Sequence, residues 1–193
     1  MARPREFDEE AVLDTMIQCF WKHGYEATSV KHLIDKTGLT AASLYNAYGD
    51  KRGLFRTALE RYVENSIAAR IQRCSALPPR EAIEAFFAEI LSRSLNDKEH
   101  KGCMLVNSAL EVAPHDREFQ KLIDGVLGHL EAFFLDCVKQ GQADGSISRA
   151  VPAQKLARHL LGMLMGVRVL ARVRPERAVL EGAIAPTLAL LNP

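Results

Sequence analysis

Apolar residues recur along this chain at three- and four-residue spacing, and the runs close at Gly or Pro. The first run, Leu13, Met16, Ile17, Phe20 and Trp21, begins beside Asp8, whose carboxylate suits a helix N-terminus, and ends in Lys22-His23-Gly24, a basic last turn and C-cap. Val30, Leu33 and Ile34 mark a short second helix. Gly38 then breaks the pattern, because it accepts the left-handed backbone of a sharp helix-to-helix turn. Thr40 is placed as an N-cap, and Leu44 and Tyr48 anchor a third helix over Ala41 to Tyr48. Gly49 ends it. Asp50 caps a longer helix through Leu54, Phe55, Leu59, Tyr62 and Ile67, from about 50 to 76, closed by Pro78-Pro79. Further helical patterns cover 80–95, 103–112, 116–140, 152–172 and 175–191, with breaks at Gly102, Pro114, Gly141/Gly145 and Pro175. No stretch alternates as a strand would. The predicted fold is all-α: an N-terminal three-helix helix-turn-helix domain over residues 1–52, then a helical ligand-binding and dimerisation domain over 53–193, with the long helix as the lever between them.

The face of the third helix gives the first functional hint. Between its two anchors lie Ala41, Ala42, Ser43, Tyr45 and Asn46, small or hydrogen-bonding residues that suit a DNA major groove better than a core. This stretch resembles the DNA-binding domain of the TetR/AcrR family of bacterial transcriptional regulators. The resemblance is carried by Thr28-Ser29-Val30, Gly38-Leu39-Thr40, Leu44-Tyr45, Tyr48, Asp50-Lys51 and Leu54-Phe55. It departs at Ala47, where many members carry a phosphate-contacting His, and at Arg52, which replaces a commoner acidic residue. The resemblance implies base-edge readers at Thr40, Ala41, Ala42, Ser43 and Asn46, and DNA-facing positions at Thr28 and Ser29. It also implies a phosphate contact from Tyr45 and a phosphate anchor at Lys51 with its helix N-terminus. Tyr48 either reaches phosphate or packs in the core. Arg3 and Arg5 form either an arm into the minor groove or a terminus with incidental charge.

Charge does not add to that case. Residues 1–60 hold eight Lys/Arg and nine Asp/Glu, a net −1, so any attraction to DNA depends on where the charges sit. With 48% hydrophobic residues, the chain has enough apolar material for one large or two modest cores. No apolar run approaches the roughly 20 residues of a membrane span, and the N-terminus lacks a secretory pattern, so a cytoplasmic protein with no membrane partner is expected. Cys19, Cys74, Cys103 and Cys137 form no paired motif and read as reduced thiols, with no metal or other cofactor implied. The common catalytic signatures are missing: no G-x-S-x-G elbow, no Walker loop, no H-E-x-x-H. An enzyme, or a helical interaction module without DNA, is therefore a distant alternative to a regulator.

Over the second domain the resemblance implies an inducer cavity and a homodimer interface, and periodicity supplies the candidates. For the cavity these are Phe86, Phe87, Cys103, Asn107, Glu111, Phe133, Phe134, Met163 and Arg168. Asn107 and Glu111 stand out, because they lie four apart in an otherwise apolar segment where polar groups need partners. The last two helices are the dimer candidates, through Leu156, Leu160, Leu164 and Val167 on one and Leu180, Ile184 and Leu188 on the other. Gly162 and Gly166 there permit close approach, though an intramolecular bundle would use the same residues. The expected partners are a palindromic double-stranded DNA operator, a second copy of the chain and a small-molecule inducer. Cys103 follows the polar loop Lys98–Gly102 and opens the next helix, where the backbone N–H field and the sequence neighbours Lys101 and His100 favour a thiolate. A thiol-based, electrophile- or oxidant-responsive regulator is thus the alternative, against a cysteine that merely fits beneath the loop.

Overall fold

The computed structural model describes residues 8–193, and these form helices with no strand among them. Helices α1 (Glu9–His23), α2 (Val30–Thr37), α3 (Ala41–Tyr48) and α4 (Lys51–Val63) build the N-terminal domain. The sequence predicts the caps at Asp8, Thr40 and Asp50, and the structure adds Ser29. Asp8, Ser29, Thr40 and Asp50 each accept a backbone N–H from the first turn they precede, and Gly38 turns the chain at φ 72°. Leu33 and Leu44 are fully buried against Met16 and Phe20 of α1 and Leu54, Phe55 and Leu59 of α4. Burying each such side chain contributes about 1.5–3 kcal/mol, enough to hold helices of only eight residues that would not persist alone.

The connecting helix departs from its prediction in one respect. After α4, residues Glu64–Ala68 form a π-helical turn before α5 (Ala69–Cys74) continues the rod. The extra residue of the turn sits in the five-residue step from Tyr62 to Ile67, where the other steps along the buried stripe are three or four. The second domain contains α6 (Pro79–Asn96), α7 (Met104–Glu111), α8 (Arg117–Asp144), α9 (Ala153–Val173) and α10 (Arg177–Ala189). Helix α8, at 28 residues, is its spine and packs against both α6 and α9. It runs through Gly141, where a side chain would meet Ile147 at 2.5 Å, and stops only at Gly145, φ 85°. Gly141 is thus a close-packing position and Gly145 the actual cap.

The two domains share apolar packing. Phe55 of α4 meets Phe20 at 5.0 Å between ring centres on one side and Phe119 of α8 at 5.3 Å on the other. In the second domain Phe86, Phe87, Phe133 and Phe134 form an aromatic cluster, with Phe86 and Phe134 5.3 Å apart, edge to face. The residues expected at a dimer interface mostly belong to this interior. Leu156, Leu160, Leu164, Val167, Leu180 and Ile184 are buried within the chain, and Leu188 is half-buried against the core. That stripe packs α9 against α8, α6 and α10, so the expectation that it faces a second copy is corrected. Gly162 and Gly166 lie on the opposite, exposed face.

Candidate nucleic-acid interface and the cavity behind it

Helix α3 presents Ala42, Tyr45 and Asn46 to solvent, Tyr45 with 43% of its surface free, while Leu44 pins the helix from behind. Ala41 and Ser43 are half-buried, and Ser43 Oγ lies 3.0 Å from Thr40 Oγ in the cap of the helix. Ser29 is exposed at the cap of α2, its Oγ accepting from His32 N–H at 3.0 Å. Thr28 is a correction. Its side chain is fully buried and donates to the Gly24 carbonyl at 2.7 Å, so it closes the α1–α2 corner and is unavailable to DNA. Tyr48 is half-buried and packs on the core, the inward of its two expected placements. Lys51 stands at the start of α4, its ammonium 3.2 Å from the Glu26 carbonyl and over the Tyr25 ring. Arg3 and Arg5 lie outside the described residues.

Helix α3 is held against α4 by a residue that sequence reasoning missed. A Cβ on Gly53 would stand 2.0 Å from the Tyr48 carbonyl oxygen, so only glycine lets the end of α3 seat on α4. Arg52 has a purpose as well. Its guanidinium grips Asp116 at 2.7 and 3.0 Å and Glu118 at 2.6 Å, tying the first turn of α4 to the start of α8. The Arg52 hydrogen bond holds the Asp116 carboxyl at about 2, well below its ordinary value.

Behind this domain lies a cavity of about 320 Å³, bounded by the connecting helix, α6, α7, α8 and α9. Of the expected liners, Phe86, Cys103 and Arg168 reach it. The others do not, for separate reasons. Phe87 and Phe134 fill the solid aromatic core, and Phe133 lines a separate, more open depression beside His129. Met163 packs half-buried on the core away from the cavity. Asn107 donates to the Lys101 carbonyl at 3.0 Å. Glu111 accepts the backbone N–H groups of Tyr25 and Glu26 at 3.1 and 2.9 Å. These two polar residues do have the partners their setting demands, but the partners are backbone groups.

Cys103 is buried, and the Tyr62 hydroxyl donates to its sulfur at 3.5 Å. Burial alone would push the thiol up, yet the Arg168 guanidinium and the Tyr62 hydroxyl bring it below its ordinary value. The cation responsible is therefore Arg168. Lys101, the expected neighbour, instead bonds Gln18 and Glu99 and lies over the Trp21 ring. Burial raises the other three thiols, Cys137 to about 11.

Comparison with known proteins agrees with this architecture. Residues 12–58 match the model described as bacterial regulatory proteins, tetR family, and residues 79–186 match the tetracyclin repressor-like C-terminal domain. The chain is 31% identical over 194 residues to YezE of Bacillus subtilis (strain 168), an uncharacterized HTH-type transcriptional regulator, with 100% of both chains covered. It is also 31% identical over 181 residues to the HTH-type transcriptional repressor ComR of Escherichia coli (strain K12), covering 93% of this chain and 85% of ComR. Among solved structures, a cysteine mutant of the TetR family regulator CifR complexed with 26-bp operator DNA superposes with a TM-score of 0.86 at 28% identity, over 98% of this chain and 100% of that one. The chain therefore belongs to the tetR family of bacterial regulatory proteins, and it is a helix-turn-helix transcription regulator, not an enzyme.

Proposed function

We propose that this regulator is a homodimeric repressor, acting in the cytoplasm, that leaves a palindromic operator when a small molecule fills the cavity behind α4. The observation that carries the reading is the path of α7. Cys103, which caps its start, lines the cavity, and Glu111, which ends it, holds the corner between α1 and α2 by two backbone N–H groups. A ligand that displaces the start of α7 moves the Glu111 carboxylate, and with it the seat of the helix-turn-helix. The π turn lies at the same place: Tyr62 before it, Ile67 within it and Arg70 after it all line the cavity.

On the DNA side, Ala42 and Asn46 are the base-edge readers, with Thr40, Ala41 and Ser43 at the groove-facing start of α3. Tyr45 and Lys51 meet phosphates, and Ser29 stands at the neighbouring helix start. Fluorescence anisotropy on DNA from the protein's own upstream region tests the assignment. Asn46→Ala is expected to change sequence preference, whereas Lys51→Ala weakens all sequences about equally and lowers the salt slope by about 1. Unchanged affinity and salt dependence in Lys51→Ala would remove that anchor.

A second reading, modification of Cys103, is favoured by the position of its sulfur in the cavity wall beside Arg168. A Michael acceptor whose β-carbon bonds the Cys103 sulfur as its C=C bond opens, the thiol proton passing to the α-carbon, would occupy the same space as a reversible inducer. Cys103→Ser is expected to lose operator release by N-ethylmaleimide; release identical to the parent would make the cysteine purely structural.

A further inference from the structure

The cavity wall carries a buried cation that no carboxylate among the described residues matches. Two arginines, Arg70 and Arg168, are buried there, with 4% and 8% of their surfaces exposed. They are not equivalent. Arg70 meets the Glu89 carboxylate at 3.1 Å and stacks over the Phe86 ring. Arg168 donates to two neutral oxygens, Ser94 Oγ at 3.1 Å and the Gly102 carbonyl at 2.6 Å, and its Nε donates to nothing. Among the described residues no carboxylate pairs with it. A buried guanidinium in a cavity wall, bordered by the Cys103 thiol and the Tyr62 hydroxyl and paired with no carboxylate among the described residues, is a site prepared for an anion.

The rest of the wall agrees. Its basic side chains are Arg70, Arg93, Lys101 and Arg168, against the single acid Asp97, which already accepts from the Gly102 N–H at 3.1 Å. Phe86, Leu130 and Leu164 add an apolar surface to the same wall. The volume is at the small end of ligand pockets, which run from roughly 300 to 1,000 Å³. Resting on the reading of this cavity as the inducer site, we infer that its ligand is a small amphipathic carboxylate, the anion on Arg168 beside the Tyr62 hydroxyl and the apolar body against Phe86, Leu130 and Leu164. Cys103 borders the same charge, so the thiol is a neighbour of the anion site.

Calorimetry on the full chain with 4-phenylbutyrate and 4-phenylbutanamide tests this, since the pair differ only in the charged end. At neutral pH the acid is expected to bind about tenfold or more tighter than the amide, the gain of a charge-assisted over a neutral contact. Arg168→Gln is expected to bring the two within about twofold of each other by removing that contact. Arg168→Lys, which keeps the charge, and Cys103→Ser are expected to retain the preference. Equal binding of the amide, no binding of either compound at millimolar concentration, or a preference that survives Arg168→Gln or disappears in Cys103→Ser would overturn the inference. The comparison of the two compounds in the unmodified protein needs no variant, so it decides even if Arg168→Gln does not fold. Operator release is measured with the same compounds. An acid that binds with the stated preference but leaves operator affinity unchanged would remove the inducer reading and leave the anion site standing. An amide that binds equally well and releases the operator would do the reverse.

Discussion

At the scale of single residues, the position that decides how α3 is presented is Gly53. In most helix interiors replacing Gly by Ala stabilises by about 1 kcal/mol, through helix propensity alone. Here the added methyl would fall 2.0 Å from a backbone oxygen that has nowhere to go without moving α3. Overpacking of this kind costs about 1–3 kcal/mol, so the sign reverses. Gly53→Ala is expected to lower the melting temperature and, because α3 must shift, to weaken operator binding as well. A variant as stable as the parent would mean that α3 is free to move. Nothing in the sequence marks this glycine, because its constraint comes from a carbonyl in the preceding helix. The caps Thr40 and Asp50, by contrast, were legible, since each acts on an N–H three residues away.

At the scale of elements, the connection between the domains has two clasps with different chemistry. Glu111 holds the α1–α2 corner through backbone groups, and Arg52 holds the start of α8 through Asp116 and Glu118. Glu111→Ala is expected to cost about 1 kcal/mol in stability, since water can reach the freed N–H groups. It should leave ligand affinity nearly intact while reducing the effect of ligand on operator affinity; full retention of that effect would exclude α7 as the link. The Arg52 clasp predicts a pH response. The Asp116 carboxyl titrates at about 2 in the folded chain against an ordinary 3.8, so its stabilisation is present above pH 3.8 and is lost as pH falls through about 2. The difference in melting temperature between the parent and Arg52→Gln is therefore expected to be flat from neutral pH down to about 5 and to shrink below 4.5, as first Glu118 and then Asp116 take up protons. A difference already shrinking between pH 7 and 5 would point to another group. Helix existence was legible throughout from periodicity, and so was the need of Asn107 and Glu111 for partners. Which partners they take was not, because Glu111 meets a backbone corner 85 and 86 residues away in sequence.

At the scale of the whole molecule, one recognition helix of two turns reads too few base pairs to specify an operator, and the proposed homodimer supplies a second about 34–36 Å away along the DNA. The buried leucine stripe of α9 is spent on the chain's own core, which leaves the opposite faces of α9 and α10 for that copy. There a Cβ on Gly162, Gly166 or Gly182 would meet nothing, and Val169 and Val173 are 42% and 73% exposed. Small residues flanked by exposed valines let two helices approach closely and bury apolar surface. The sequence could not separate the two faces, because both satisfy a four-residue repeat: Leu156, Leu160 and Leu164 on one, Gly162 and Gly166 on the other. Substitution does separate them. Leu164→Glu places a charge in a closed core and is expected to unfold the chain. Gly166→Glu puts the same charge on an open helix face, where the gain in helix propensity leaves the protomer at least as stable as the parent. Light scattering is then expected to report a folded monomer for Gly166→Glu and a dimer for the parent, with operator affinity in the variant reduced to the level of non-specific DNA. A Gly166→Glu dimer, or a parent that is monomeric at micromolar concentration, would move the interface elsewhere.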